Sequence, residues 1–152
     1  MRVLAVDPGL ATGMALFEDA NMHEEFSCWI EKDRWAAVDR ARVEMTIIGI
    51  DVLVIENYRI SGARAKDANL TIELIGALKW IAYKRNVPVV MQEPGAGQKF
   101  VGKRWEKLKR MGWYEKASAD HHRSAAAHLL LYLAQSGAIS SQRLLPSDEE
   151  EV

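Results

Sequence analysis

Leu4-Ala5-Val6-Asp7-Pro8-Gly9-Leu10-Ala11-Thr12-Gly13 is the stretch whose reading decides the fold. An apolar strand drives to an aspartate, the chain turns at Pro8-Gly9, and it resumes as Met14-Ala15-Leu16-Phe17. A second apolar strand, Val52-Leu53-Val54-Ile55, ends the same way, in Glu56-Asn57. Two buried strands that each deliver a carboxylate at a C-terminal end fix those acids on a rigid edge. Oxygen ligands so placed suit a hard divalent cation such as Mg²⁺. Read singly, Asp7 is also an ordinary turn-former before Pro-Gly, and Glu56 an ordinary solvated strand end. Read together they point to metal-assisted chemistry on phosphates.

The chain around this motif has 152 residues, enough for one domain with one substantial core. An apolar fraction of 49% and a charged fraction of 27% are those of an ordinary soluble protein. Met1-Arg2 feeds straight into the first strand with no small-residue cleavage site, so no signal peptide is expected. No apolar run approaches the roughly eighteen residues a membrane span needs. Cys28, the one cysteine, sits in Phe26-Ser27-Cys28-Trp29-Ile30 and reads as a strand residue, which excludes an internal disulfide. A cytoplasmic protein is the expectation.

The net charge of −1 says nothing for a nucleic-acid partner, but its distribution does. Lys99, Lys103, Arg104, Lys107, Lys109, Arg110, Lys116 and Arg123 outnumber the interspersed acids Glu93, Glu106, Glu115 and Asp120. The acidic run Asp148-Glu149-Glu150-Glu151 masks this local excess in the total. A basic segment can bind phosphates in a neutral chain, although charge runs also form plain solvated faces.

In chain order, Arg2 to Val6 reads as a central strand and Gly13 to Phe17 as its hairpin partner, with Gly9 and Gly13 supplying unusual backbone angles. Phe26 to Ile30 makes a third strand. Asp33 caps a helix through Ala36, Val38, Ala41, Met45 and Ile48, which leads to the strand Val52 to Glu56. A polar loop from Tyr58 to Lys66 follows. Asp67 caps the next helix, lined by Leu70, Leu74, Ala77, Leu78 and Ile81 and ended by Asn86-Val87-Pro88. Val89 to Met91 forms another strand, Glu93 to Gly97 a mobile turn, and residues 100–110 a short basic helix broken at Gly112. The last helix starts near Ser118 and runs through Ala125, Ala126, Leu129, Leu130 and Leu133 to Gly137. The result is an α/β fold with a five-stranded mixed sheet flanked by helices, antiparallel at first and then joined by helical crossovers. Residues 1–139 form the domain, and 140–152 an acidic, flexible tail.

On the last helix Asp120, Ser124 and His128 recur at four-residue steps and share a face. If its N-terminal end packs over the first and fourth strands, Asp120 completes a carboxylate trio with Asp7 and Glu56. Three close carboxylates repel one another, and one or two divalent cations compensate. Two such ions about 4 Å apart prepare a water for attack on a phosphodiester and stabilise the departing 3′ oxygen. His121 and His122 fit a proton shuttle or one supplementary ligand better than a zinc set. His128, beside Leu129 and Leu130, also fits a packed core residue.

The chain resembles the RuvC-type Holliday junction resolvases of the ribonuclease H-like superfamily, especially their phage-encoded relatives. The resemblance spreads over most of residues 1–135. It is carried by Ala5-Val6-Asp7-Pro8-Gly9 with Thr12-Gly13, by Val54-Ile55-Glu56-Asn57, and by His121-His122-Arg123-Ser124-Ala125-Ala126-Ala127-His128. It implies a ribonuclease H-like fold and a homodimeric, Mg²⁺-dependent endonuclease for four-way or other branched DNA, with Mn²⁺ as a substitute metal. The family's acids on the first and fourth strands map to Asp7 and Glu56. Its last helix carries a ligand pair in a motif reading His-x-Arg-Asp-Ala, and here Ser124 stands where the second acid should be. Asp120, helped by His121, is the expected replacement, with Ser124 a weak, neutral ligand.

By the same analogy, the loop after Glu56 meets the DNA. Tyr58 would stack on an unpaired base while Arg59, Arg64 and Lys66 hold phosphates. Lys99, Lys103, Arg104, Lys107 and Arg110, with Arg123, would grip the duplex arms without reading sequence. A four-way junction has near two-fold symmetry, which a C₂ dimer matches. The helix from Asp67 to Lys84 is the expected interface, bearing Leu74, Ile75, Leu78, Trp80, Ile81 and Tyr83, although Trp80 and Tyr83 can equally pack on their own domain. Ser124 keeps open a branched-DNA-binding protein with weakened catalysis. A fork- or flap-preferring nuclease of the same fold is a further alternative. Asp7-Pro8-Gly9 with Thr12-Gly13 also resembles an actin-like nucleotide loop, but one domain lacks the second lobe needed to close over ATP.

Overall fold

The computed structural model describes residues 1–20, 23–58, 65–104, 120–140 and 143 and, at 65, 66, 103 and 120–122, their backbone. The elements are β1 (Arg2–Asp7), β2 (Thr12–Ala20), β3 (His23–Glu31), α1 (Arg34–Val43), β4 (Val52–Glu56), α2 (Ala65–Lys84), β5 (Val89–Gln92), α3 (Ala96–Val101) and α4 (Asp120–Gln135). A π-helical turn, Glu44–Ile48, extends α1, and a 3₁₀ turn, Gly102–Arg104, extends α3. The sheet order is β3-β2-β1-β4-β5. β1, β2 and β3 pair antiparallel, and β4 and β5 join parallel to β1 through helical crossovers, as the sequence predicts.

Why β1 reads as an unbroken apolar run is plain from its two faces. Val3 and Ala5, with Ala15, Phe17 and Val54, pack under α4, whereas Leu4 and Val6, with Met14, Leu53 and Ile55, pack under α1 and α2. A central strand covered on both sides needs apolar residues at every position. The α4 face is built from small partners, Ala125, Ala126 and Ala127 among them, so this helix lies close on the sheet.

Local chemistry sets the helix ends. Asp33 Oδ1 accepts from the backbone N–H of Trp35 at 2.8 Å and of Ala36 at 3.0 Å, the expected N-cap, worth about 1 kcal/mol. Asn86, with φ 55°, carries the chain out of α2, and Gly137, with φ 74°, lies just past α4. Cys28 is a half-buried strand residue, as expected.

Several expectations need correction. Gly13 is an ordinary strand residue paired with Asp7 and Ile30, and the left-handed glycines lie elsewhere. Asp67 is not an N-cap: α2 begins at Ala65, and the acid sits in its first turn, where the helix dipole still favours it. The predicted turn from Glu93 to Gly97 is shorter, because Gly95, with φ 75°, lets α3 start at Ala96. The predicted basic helix over 100–110 therefore begins earlier, and its described part ends in the 3₁₀ turn at Arg104. Residues 105–110, Gly112 and Ser118 lie outside the described residues, as does most of the acidic tail. Arg143 ion-pairs with Glu24 of β3 at 3.0 Å. Among the described residues no helix is long and apolar enough to cross a membrane.

α3 owes its place to one glycine. A Cβ on Gly97 would stand 2.6 Å from the backbone N of His128 and 2.7 Å from the carbonyl carbon of Ala127. Backbone cannot yield as a side-chain tip can, so even a methyl group pushes α3 off α4. Gly97→Ala should lower stability by about 1–3 kcal/mol, the usual cost of overpacking, read as a lower midpoint in thermal or urea unfolding. An unchanged midpoint would show that the two helices separate freely.

Candidate active site

Strand register brings the two acids together. β1 and β4 run parallel with Val6 opposite Ile55, so Asp7 and Glu56 leave the sheet at one edge. β5 sets Gln92 opposite Glu56 at the same edge. The carboxyl of Asp7 hydrogen-bonds Glu56.

α4 closes over this edge. Ser124 and His128, one turn apart, reach the same oxygen: Ser124 Oγ donates to Glu56 Oε2 at 2.7 Å, and His128 Nε2 lies 3.0 Å from it. Each has a partner behind it. Gln98 of α3 donates from Nε2 to Ser124 Oγ at 2.7 Å, and His128 Nδ1 donates to Gln92 Oε1 at 2.5 Å. Ser124, Gln92 and His128 are buried, His128 completely, while Glu56 is half-buried.

Burial by itself raises the Glu56 carboxyl. The contacts with His128 and Ser124, the charge of His128 and the hydrogen bond with Asp7 outweigh it and hold Glu56 below the ordinary carboxylate range. A depressed carboxylate stabilises the fold above its ordinary pKa, and that contribution is lost as pH falls through the lowered value.

The structure unites Asp7, Glu56 and Ser124 of the predicted metal set. It places Ser124 as a hydrogen-bond donor to Glu56, with its own oxygen already accepting from Gln98. Asp120 and His121 lie in the first turn of α4, and their side chains are outside the described set. Among the described residues no three His, Cys, Asp or Glu side chains form a ready-made metal cage. The donors nonetheless suit a small divalent cation in kind: two carboxylates, hard oxygen donors, share one edge of the sheet. Asp7 and Glu56 are the residues that would hold such an ion.

Of the predicted DNA contacts, Tyr58 follows β4 and is half-buried; Arg59, Arg64, Lys107 and Arg110 lie outside the described residues, and Lys66 and Lys103 are placed by backbone alone. Lys99 and Arg123 are exposed, and Arg123 lines a cleft with Gln98, Val101, Gly102 and Ala127. Arg104 folds back, donating to the Phe100 carbonyl at 2.6 Å with its guanidinium over that ring.

Sequence reasoning missed Gln92 and Gln98 and left His128 between core and ligand. The four-step spacing from Ser124 was the available signal for His128. A glutamine ending a strand beside Glu56 was the signal for Gln92. Gln98 had none, because it falls between the turn expected to end at Gly97 and the helix expected from residue 100. Lys32, Arg34 and Trp35 line a hollow with Gly9 and Leu10, two and three residues after Asp7 in the chain.

No protein-family model and no curated protein matches the chain. Solved structures do. RuvC of T. thermophilus in complex with a Holliday junction substrate superposes with a TM-score of 0.67 at 17% identity, covering 90% of this chain and 96% of that one. The fowlpox virus Holliday junction resolvase gives 0.57 at 20% identity, covering 90% and 99%. The yeast mitochondrial Holliday junction resolvase gives 0.58 at 14% identity, covering 93% and 82%. The fold of this chain is thus the ribonuclease H-like fold of the Holliday junction resolvases.

Proposed function

We propose that this chain is a metal-dependent, structure-selective endodeoxyribonuclease that resolves Holliday junctions and other branched DNA by phosphodiester hydrolysis. Mg²⁺ is its cofactor, Mn²⁺ a substitute, and the cytoplasm its place of work, the host's if the gene is phage-borne. The observation that carries this reading is the shared edge of Asp7 and Glu56, roofed by Ser124 and His128. The likeness to junction resolvases over nine-tenths of the chain supports it.

A divalent cation at that edge would supply a more acidic water and positive charge for the departing oxygen. Asp7 and Glu56 would hold it; Ser124, itself held by Gln98, fixes the direction of the Glu56 carboxylate. Asp120 and His121, at the start of α4, remain the proposed further ligand and proton carrier. Lys99 and Arg123 bind phosphates beside the edge, and Tyr58 leads into the loop that meets the branch.

Homodimerisation fits the face α2 leaves open. Leu74, Leu78, Ile81 and Ala82 pack on the sheet, while Ile72, Trp80 and Tyr83 project outward, Trp80 64% and Tyr83 78% exposed. Neither aromatic covers its own domain, and two symmetric cuts call for two copies. Sedimentation should show the native chain as a dimer and Trp80→Glu with Tyr83→Glu as a monomer; a native monomer bound singly to junctions would refute the dimer.

Asp7→Asn should keep junction binding, because phosphate contacts survive, and lose cleavage. Several kcal/mol of charge stabilisation correspond to a fall of about a thousandfold or more. Parental cleavage by this variant would refute the metal-edge reading. A matched panel of junction, fork, flap and duplex ranks the substrates, with 5′ phosphate and 3′ hydroxyl ends expected.

The second reading is a branched-DNA-binding protein with weakened catalysis, favoured by the neutral Ser124 at the heart of the site. Native chain that binds junctions tightly but yields no product with Mg²⁺ or Mn²⁺, and that gains cleavage on Ser124→Asp, would establish it. Under the nuclease reading the native chain already cleaves.

A further inference from the structure

We propose that the hollow where β3 runs into α1 binds DNA, taking an unpaired base of the branched substrate on the Trp35 indole and a neighbouring phosphate on Lys32. The inference deepens the nuclease reading and rests on it for the chemistry of the ligand.

Strand register puts this hollow at the acid-bearing end of the sheet. Asp7 pairs with Gly13, Gly13 with Ile30, and Thr12 with Glu31. β3 therefore ends level with Asp7, two strands away, and Lys32 follows directly. Two strand spacings of about 4.8 Å make about 10 Å, or about three nucleotide steps of about 3.4 Å along one DNA strand. The order β3-β2-β1-β4 places Glu56 on the opposite side of Asp7. A DNA strand laid across the acidic edge thus has Glu56 on one side and this hollow on the other.

Its lining suits a nucleotide. The hollow measures about 340 Å³. Trp35 is 60% exposed and Leu10 58%, so two large apolar groups face solvent there. The Arg34 guanidinium lies over the indole, 5.0 Å from the ring centroid, and pairs with Glu73 of α2 at 3.3 Å. A flat base stacked on the indole extends that guanidinium–indole pair, the kind of aromatic platform on which single-stranded nucleic acid is held. Lys32 is exposed and forms no ion pair among the described residues, which leaves its ammonium for a phosphate. The Asp33 carboxylate is already engaged by the backbone N–H groups of Trp35 and Ala36. A base inside a duplex has both faces covered by its neighbours, so only an unstacked base reaches the indole, and the hollow favours branched DNA over duplex.

The test measures binding of the full-length chain to a four-way junction, a fork and a duplex of the same arm sequences, with Ca²⁺ in place of Mg²⁺ to read binding apart from cleavage. Trp35→Ala should weaken junction and fork by about fivefold or more and leave the duplex within about twofold, while Trp35→Phe keeps most of the affinity. Lys32→Gln should lower the slope of log affinity against log salt on the junction by about one. Both side chains are exposed, so the unfolding midpoint should not move in either variant. Unchanged junction affinity in Trp35→Ala, or an equal loss on duplex, would overturn the base site and leave the nuclease reading intact. An unchanged salt slope in Lys32→Gln would overturn the phosphate contact. A changed sedimentation of Trp35→Ala with DNA affinity unchanged would assign the indole to a contact between copies of the chain instead. A native chain that binds neither junction nor fork would overturn the nuclease reading and this one together.

Discussion

The parallel pairing of β1 with β4 is the constraint on which the site depends. It fixes which residues leave the sheet together, because side chains alternate faces along a strand. A slip of one residue in β1 would turn Val3 and Ala5 away from α4 and put Leu4 and Val6 beneath it. The alanine face of α4 could then no longer approach so closely. Asp7 would lose its place beside Glu56, and Ser124 and His128 would stand off from the carboxylate. Core packing and site geometry are therefore one constraint seen from two sides.

Electrostatics opposes that constraint. Two carboxylates brought to one sheet edge repel each other when both are ionised. Without a cation the chain offsets this with its own groups: the Ser124 hydroxyl donates to Glu56, His128 lies against the same oxygen, and Asp7 and Glu56 share a hydrogen bond. A serine in place of a further acid lightens the load. The site has less negative charge to hold apart, and correspondingly less with which to attract a cation.

Much of the fold was legible because its signals are periodic. The two-sided burial of β1 and β4 shows as continuous apolar runs, the Asp33 cap shows as a residue type at a helix start, and Leu74, Leu78 and Ile81 mark the packed side of α2. Asp7 and Glu56 were legible because an acid ending an apolar strand breaks its pattern. What escaped depends on tertiary packing. The spacing of Ser124 and His128 puts them on one face, yet it cannot say that the face meets Glu56. Gln92 earns its place only through the register of β5, and Gln98 only through a helix of six residues too short to have a period.

That short helix couples distant parts of the chain. Gly97 lets α3 rest against the backbone of α4 at Ala127 and His128, and the next residue, Gln98, reaches across to Ser124. Ser124 in turn donates to Glu56, so the direction of a carboxylate on β4 depends on how closely two helices touch. The same stretch, through Lys99, faces solvent, and Arg123 on α4 is exposed as well. The contact between α3 and α4 thus joins an exposed stretch of α3 to a carboxylate oxygen at the edge of the sheet, through three hydrogen-bonding side chains and one missing Cβ.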